Sequence, residues 1–126
     1  MSEEILKLIE AVDPSDTPKL DEIDCAVWFI ITHGSLPETP IPVLRNFKES
    51  PWGLDKYTRS RDALKSIRPE GWSFQGARQA DDGTFWAELR KGYQTSYEVA
   101  KVSKCKTEEL AELHVIIQAI QWERNQ

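Results

Sequence analysis

Basic and aromatic side chains gather around the N-terminus of the third predicted helix of the chain. They are Trp52, Lys56, Tyr57, Arg59 and Arg61. Arginine binds phosphate through two parallel hydrogen bonds, and an aromatic ring stacks on a nucleobase. Free backbone N–H groups at a helix start also attract anions. The spacing therefore predicts a binding site for a small nucleotide-type ligand.

A second interpretation of the same residues needs no ligand. Arg59 and Arg61 would then be solvated surface charges, while Trp52 and Tyr57 would belong to the core, since large aromatic side chains are buried on average. Under the first interpretation, three cations of the predicted sheet could line the same ligand site if the sheet lies beside it. They are Arg78, Arg90 and Lys91.

Other reactive residue types lack partners at the spacing that chemistry needs. His33 and His114 each stand without a second metal ligand at the usual spacing, and we interpret His114 as a helix-surface or boundary residue. The sequence contains neither a glycine-rich phosphate loop nor a serine nucleophile elbow, and its carboxylates show no pairing that spacing establishes. We therefore expect no catalytic residue, no metal ion and no cofactor.

Composition sets limits on the class of protein. The chain has 126 residues, of which 40% are apolar and 29% charged, as expected for a single folded domain. Its longest apolar run, 26–31, is far shorter than the ~20 residues that span a bilayer, and no signal peptide is visible. Cys25 and Cys105 are too few for a disulfide framework, so we interpret them as reduced thiols of a cytoplasmic protein.

Charge is distributed unevenly along the chain. Residues 1–44 carry a net charge of −7, residues 45–104 carry +4 and residues 105–126 carry −2, for a total of −5. The total disfavours general binding to duplex nucleic acid, because such affinity comes largely from neutralising phosphates. The basic middle permits a local anion site, whereas the acidic N-terminal third suits a basic protein partner.

The helix that would position the basic and aromatic residues has clear start and stop signals. Thr58 or Ser60 can act as the N-cap, and Asp62 in the first turn suits the helix dipole. Pro69 ends the helix, because proline lacks an N–H and restrains the residue before it. The chain then turns and enters an extended run at Trp72.

This stretch resembles the phage ABA-sandwich domain family. Members show a tyrosine–threonine helix start, a small apolar helix, a proline–glutamate–glycine–tryptophan turn into a short sheet, and a closing C-terminal helix. The likeness covers residues from about 18 to the end and departs from the pattern at Arg61 and in an alanine-poor C-terminal helix. It implies a small three-layer α/β protein of phage or prophage origin, with no implied reaction. The residues that carry it are Tyr57-Thr58, Ser60, Asp62-Ala63 and Pro69-Glu70-Gly71-Trp72.

Periodicity elsewhere predicts three further helices, capped by Ser2, Thr17 and Thr107, and three strands at 72–78, 84–91 and 96–104. An Asp82-Gly83 pair marks a tight hairpin turn, and a phase shift in the third strand indicates a bulge or two covered faces. We predict an α+β fold, a three-stranded, mainly antiparallel sheet with helices on both faces (an α-β-α sandwich). The single domain, 1–126, would comprise a helical pair (1–34), a proline-rich loop (35–56) and a helix–three strands–helix core (57–126).

These observations favour a non-enzymatic phage or prophage accessory protein in the cytoplasm of an infected or lysogenic bacterial host. The first hypothesis is that it binds and sequesters a small nucleotide-type host immune signal. The alternative is a protein–protein interaction module that inhibits a host protein or serves phage assembly. A third hypothesis is an enzyme that cleaves a nucleotide. Five tryptophans and an apolar loop further predict a homo-oligomer, since exposed apolar patches mark interfaces.

Overall fold

The computed structural model describes residues 2–33, 56–93 and 96–125, with the side chains of residues 2, 33, 93 and 96–100 left out of the description. The helices are α1 (Ser2–Ala11), α2 (Thr17–His33), α3 (Arg61–Ile67) and α4 (Glu108–Arg124). The strands are β1 (Trp72–Gln79), β2 (Phe85–Tyr93) and β3 (Ser96–Cys105). The predicted proline-rich loop lies outside the described residues, apart from Lys56.

The three strands form an antiparallel sheet in the order β1-β2-β3. The first hairpin is closed by a bond from the Ala80 amide to the Thr84 carbonyl at 2.7 Å. Gly83 lies in this turn with φ +87°, a conformation that glycine adopts without a steric cost. The carboxylate of Asp82 accepts the amide of Thr84 at 3.1 Å. The predicted hairpin turn is therefore confirmed.

Both edge strands contain an irregularity. In β3, Val99 lies opposite Lys91 and Tyr97 lies opposite Gly92, so one residue of β3 has no counterpart on β2. This is the bulge that the phase shift in the third strand indicated. A second shift, between Phe74 and Gly76 of β1, was not predicted.

Side chains of the local sequence determine where the helices begin and end. Ser60 is the N-cap of α3 and accepts the Ala63 amide, while Arg68 is extended before Pro69. Thr107 caps α4 by accepting the Leu110 amide at 3.1 Å. Helix α2 already includes Thr17, and the carboxylate of Asp16 accepts the Lys19 amide at 3.2 Å, so the cap lies one residue earlier than predicted.

Helix α4 forms the centre of the domain. One side of it packs on the sheet, where Ser103 donates a hydrogen bond from its hydroxyl to the Ala111 carbonyl at 2.5 Å. Helices α1 and α3 pack against α4, and α2 packs against α1. The sheet covers one side of α4, and α1 and α3 cover the other side. Glu112 and His114 are therefore buried along with the apolar residues of α4. The prediction of His114 as a surface or boundary residue is therefore wrong.

The predicted α+β class is confirmed, with a three-stranded antiparallel sheet and helices packed against it. Ala87 and Leu89 are buried beneath α4. The opposite face of the sheet presents Trp86 and Val102, which are 44% and 48% exposed. The described helices therefore lie on one face of the sheet and not on both faces, which the predicted α-β-α sandwich required. Within the described ranges, no helix is long and apolar enough to cross a membrane.

Candidate functional site

Two residues of the predicted ligand cluster, Lys56 and Arg59, form ion pairs with helix α2. Arg59 reaches the Asp21 carboxylate at 2.6 Å and the Asp24 carboxylate at 2.7 Å through its Nη2 atom. Lys56 lies 3.2 Å from Asp21. The positive charges of Lys56 and Arg59 are therefore paired with the two carboxylates of α2.

Asp24 is the buried centre of this contact. Its side chain has no exposed surface, and it also accepts the Thr58 amide at 2.8 Å. Burial raises the pKa of Asp24 above its ordinary value, although the hydrogen bonds from Arg59 and Thr58 oppose that rise. Tyr57 is also buried, which leaves its ring unavailable for stacking on a ligand. This arrangement anchors the segment before α3 onto α2.

Arg61 belongs to a separate ion-pair group. It lies 3.4 Å from Glu108 and 3.4 Å from the buried Glu112, and Arg68 lies 3.7 Å from Glu112. Both guanidinium groups stand 5.7 Å from the centre of the Phe74 ring. Burial raises the pKa of Glu112, and the charges of Arg61 and Arg68 act in the opposite direction. These contacts join α3, β1 and α4.

The structure thus separates the residues that the sequence grouped. Arg59 and Arg61 have different carboxylate partners, and Trp52 lies outside the described residues. A small cavity of about 180 Å³ beside Arg59 also meets the start of α4, but Glu109 lines it. Since carboxylates neighbour its arginine, the cavity suits a structural contact better than a free phosphate.

A different basic and aromatic group lies on the open face of the sheet. Arg78, Trp86 and Lys104 occupy directly opposed positions on β1, β2 and β3. The ammonium of Lys104 lies 5.3 Å from the centre of the Trp86 ring, a cation–π distance. The row therefore presents one exposed indole between two cations.

The two cations of this row differ in their surroundings. Lys104 is paired with Asp82 at 2.9 Å, and the hydrogen bonds from Thr84 and Lys104 hold the pKa of Asp82 well below its ordinary value. Arg78 is exposed and has no ionic partner within the part of the chain that the structure describes. Arg78 is consequently the cation of this row that is available to an anionic ligand.

A groove runs beside Trp86. It has a volume of about 360 Å³ and is lined in part by Arg78, Glu88 and Val102. The carboxylate of Glu88 is bound by Arg90 at 2.8 Å, which reduces its repulsion of an anion. An indole, a guanidinium group and a partly neutralised carboxylate in one groove can bind a flat aromatic anion through stacking and paired hydrogen bonds.

The sequence did not predict this group. Arg78 was named only as a cation that could line the groove of the predicted cluster if the sheet lay nearby, although the alternation of β2 puts Trp86 on the face away from the buried Ala87 and Leu89. The grouping of Arg78, Trp86 and Lys104 depends on strand register, which sequence did not provide. Lys91, which the sequence allowed to line the same groove as Arg78, lies on the other face, 2.6 Å from Glu123 and 4.7 Å from the Trp122 ring.

Comparison with known proteins adds no relative from which a function could be transferred. No family model, no curated protein and no solved structure matches this chain. The resemblance to the phage ABA-sandwich family therefore stays a prediction based on residues 57–72. Across the ranges 2–33, 56–93 and 96–125, no group of three His, Cys, Asp or Glu side chains is placed to hold a metal ion.

Proposed function

We propose that this protein binds a small nucleotide-type ligand on the open face of its sheet and does not catalyse a reaction on it. In this proposal it is a phage or prophage accessory protein that sequesters a host signal in the bacterial cytoplasm. The observation that supports the ligand class is Trp86, 44% exposed, placed in register between Arg78 and Lys104.

The chemistry of the groove favours this ligand over a simple anion. Stacking of one base on an aromatic side chain contributes about 1–3 kcal/mol, and Trp86 offers the ring for it. Arg78 can bind a phosphate through two hydrogen bonds. The groove volume of about 360 Å³ lies at the lower end of the range typical of small-molecule sites, roughly 300–1,000 Å³. A groove of this volume suits a ligand no larger than about one nucleotide unit.

This proposal keeps the predicted ligand class and moves the site. Arg59 and Arg61 have the right side-chain chemistry, yet each is already paired with a carboxylate. Releasing Arg59 to bind a phosphate would leave Asp24 buried without its cation, which costs several kcal/mol. Arg78 forms no ion pair with a described residue, so it would lose none by binding a phosphate.

The experiment incubates the protein with a panel of cyclic and linear nucleotides, removes free ligand by filtration and heat-denatures the complex. Intact nucleotide released on denaturation supports sequestration. Chemically altered nucleotide would instead indicate an enzyme, and retention of none of the panel would reject the proposal.

Three variants locate the site. Trp86→Ala and Arg78→Gln should each weaken retention about tenfold or more, because they remove stacking or the phosphate contact. Arg61→Gln is the matched control at the predicted cluster and should retain ligand as the parent does. The opposite pattern, in which Arg61→Gln loses the ligand and Trp86→Ala keeps it, would return the site to the predicted cluster. Thermal melts establish that each variant is folded.

We also propose that the protein forms a homo-oligomer. Trp86 and Val102 are large apolar residues exposed on the same face, and exposed apolar surface commonly marks an interface. An interface that covered Trp86 would compete with the nucleotide for this ring. Light scattering at micromolar concentration tests this, with and without nucleotide. A single species of 14.5 kDa under both conditions would contradict it.

A further inference from the structure

A second groove differs in chemistry from the groove on the sheet, because its lining is apolar and acidic. It runs between α1 and α2 and has a volume of about 320 Å³. Its lining contains none of the residues of the open sheet face. Any function of this groove is therefore independent of the proposed nucleotide site.

Apolar side chains form the floor of the groove. Leu8 and Val12 contribute from α1 and Ile23 contributes from α2. Val12 is 8% exposed and Ile23 is 3% exposed, so both side chains belong mainly to the core, whereas the partly buried Leu8 has more of its surface free. Ala11 also lines the groove and is exposed. Its small side chain leaves the space above the floor open.

Carboxylates form the rim. Asp13 and Asp16 line the groove together with the buried Glu22 and one cation, Lys19. Lys19 lies 3.6 Å from Glu22, so its charge is balanced locally. Hydrogen bonds from the amide and hydroxyl of Ser15 hold Asp13 in its charged form by lowering its pKa. Neither Asp13 nor Asp16 forms an ion pair with a described residue, although the charge of Lys106 also acts on Asp13 and lowers its pKa.

We infer that this groove binds a basic amphipathic segment of another protein. Apolar side chains of the segment would pack on Leu8, Val12 and Ile23, and its lysine or arginine residues would meet Asp13 and Asp16. An amphipathic helix in an apolar groove is a common mode of peptide recognition, and opposite charges at the rim select the partner and its orientation.

Charge disfavours the other occupants of this groove, which are a second copy of the chain paired through the same groove and a phosphate. The N-terminal residues 1–44 carry −7, so two copies that paired through this groove would bring like charges together. The rim carboxylates likewise repel a phosphate, which separates this groove from the nucleotide site. A basic protein segment is the occupant whose charge and apolar surface both match.

The test uses two synthetic helical peptides with identical leucines at helical spacing. One carries lysine at its polar positions and the other carries glutamate. Fluorescence anisotropy should show that the lysine peptide binds and that its affinity falls as salt increases, because exposed charge pairs are screened. The glutamate peptide should not bind. Equal binding of both peptides, or of neither, would overturn the inference.

Variants show whether the peptide occupies the groove. Ala11→Trp fills the space above the floor from an exposed position and should weaken binding at least tenfold. Ser66→Trp adds the same side chain at an exposed position of α3 and should leave binding unchanged. Asp16→Ser keeps a capping hydroxyl for α2 and removes one charge, so binding should weaken about threefold at low salt.

Two results would contradict this site directly. If Ala11→Trp binds the lysine peptide as the parent does, the peptide binds elsewhere on the acidic surface. If light scattering shows a dimer that Ala11→Trp dissociates, the occupant is a second copy of this chain. Nucleotide retention should be the same in Ala11→Trp and the parent, so failure of this inference is distinguishable from failure of the nucleotide proposal.

Discussion

Replacing Arg59 by alanine should destabilise the fold strongly, although arginine side chains on a surface are usually dispensable. Arg59 is the cation that faces Asp24 at 2.7 Å, and the Asp24 side chain is fully buried. Removing one partner of a buried ion pair leaves an unpaired charge and typically costs 3–5 kcal/mol.

The expected loss in the free energy of unfolding lies at or below the lower end of that range. The Arg59 side chain is 33% exposed, so water can enter the space that it leaves. Asp24 also keeps its hydrogen bond from the Thr58 amide at 2.8 Å. We therefore expect a loss of about 2–3 kcal/mol, which lowers the melting temperature by about 8–12 °C for a domain of this size.

The pH dependence of this stability loss tests whether the unpaired charge of Asp24 causes it. Burial raises the pKa of Asp24, and Arg59 opposes that rise, so in Arg59→Ala the pKa should rise further. A raised carboxyl pKa means that the folded chain holds its proton to a higher pH than the unfolded chain. The destabilisation should therefore be greatest at neutral pH and should shrink as pH falls towards the ordinary aspartate value of 3.8.

Thermal and urea denaturation followed by circular dichroism measure the effect. Lys56→Ala is the matched control, since Lys56 and Asp21 are both solvent-accessible, and it should cost less than about 0.5 kcal/mol. Adding Asp24→Asn to Arg59→Ala should recover part of the loss, because it removes the buried charge. A melting temperature for Arg59→Ala within about 2 °C of the parent would refute the reasoning.

Two further predictions concern the core. Leu89→Ala should cost about 3 kcal/mol in urea unfolding, because Leu89 has no exposed surface and its loss leaves a cavity under α4. Val102→Ala on the open face should cost less than about 0.5 kcal/mol, and equal losses would contradict the assignment of faces. Burial raises the pKa of Cys105 to about 12, with a smaller effect from Glu10. A thiol reagent at pH 8 should therefore leave Cys105 unmodified in the folded protein and modify it in urea, whereas rapid modification of the folded protein would contradict this burial.

Local signals in the sequence determined the elements. Ser60 and Thr107 begin helices as N-caps, Pro69 ends one, and the glycine of the 82–83 pair forms the hairpin turn. Each signal acts through atoms a few residues away, by filling an open hydrogen bond or by restricting a backbone angle. The sequence therefore predicted the order of helices and strands and the α+β class.

The environment of α4 was decided by packing. Its periodicity indicates one apolar face, yet Glu112 and His114 are buried because α1 and α3 cover the side that the sheet does not. A periodic pattern reports which side of a helix is most apolar. It does not report how many layers pack on the helix.

The placement of charge was also decided by tertiary structure. The sequence shows Arg59, Arg61 and Arg78 as similar cations, but long-range contacts bring Asp24 to the first and Glu112 to the second. Strand register places Arg78 beside Trp86 on an open face. A cation is available to a ligand only where folding brings no carboxylate to it, and distant parts of the chain determine that.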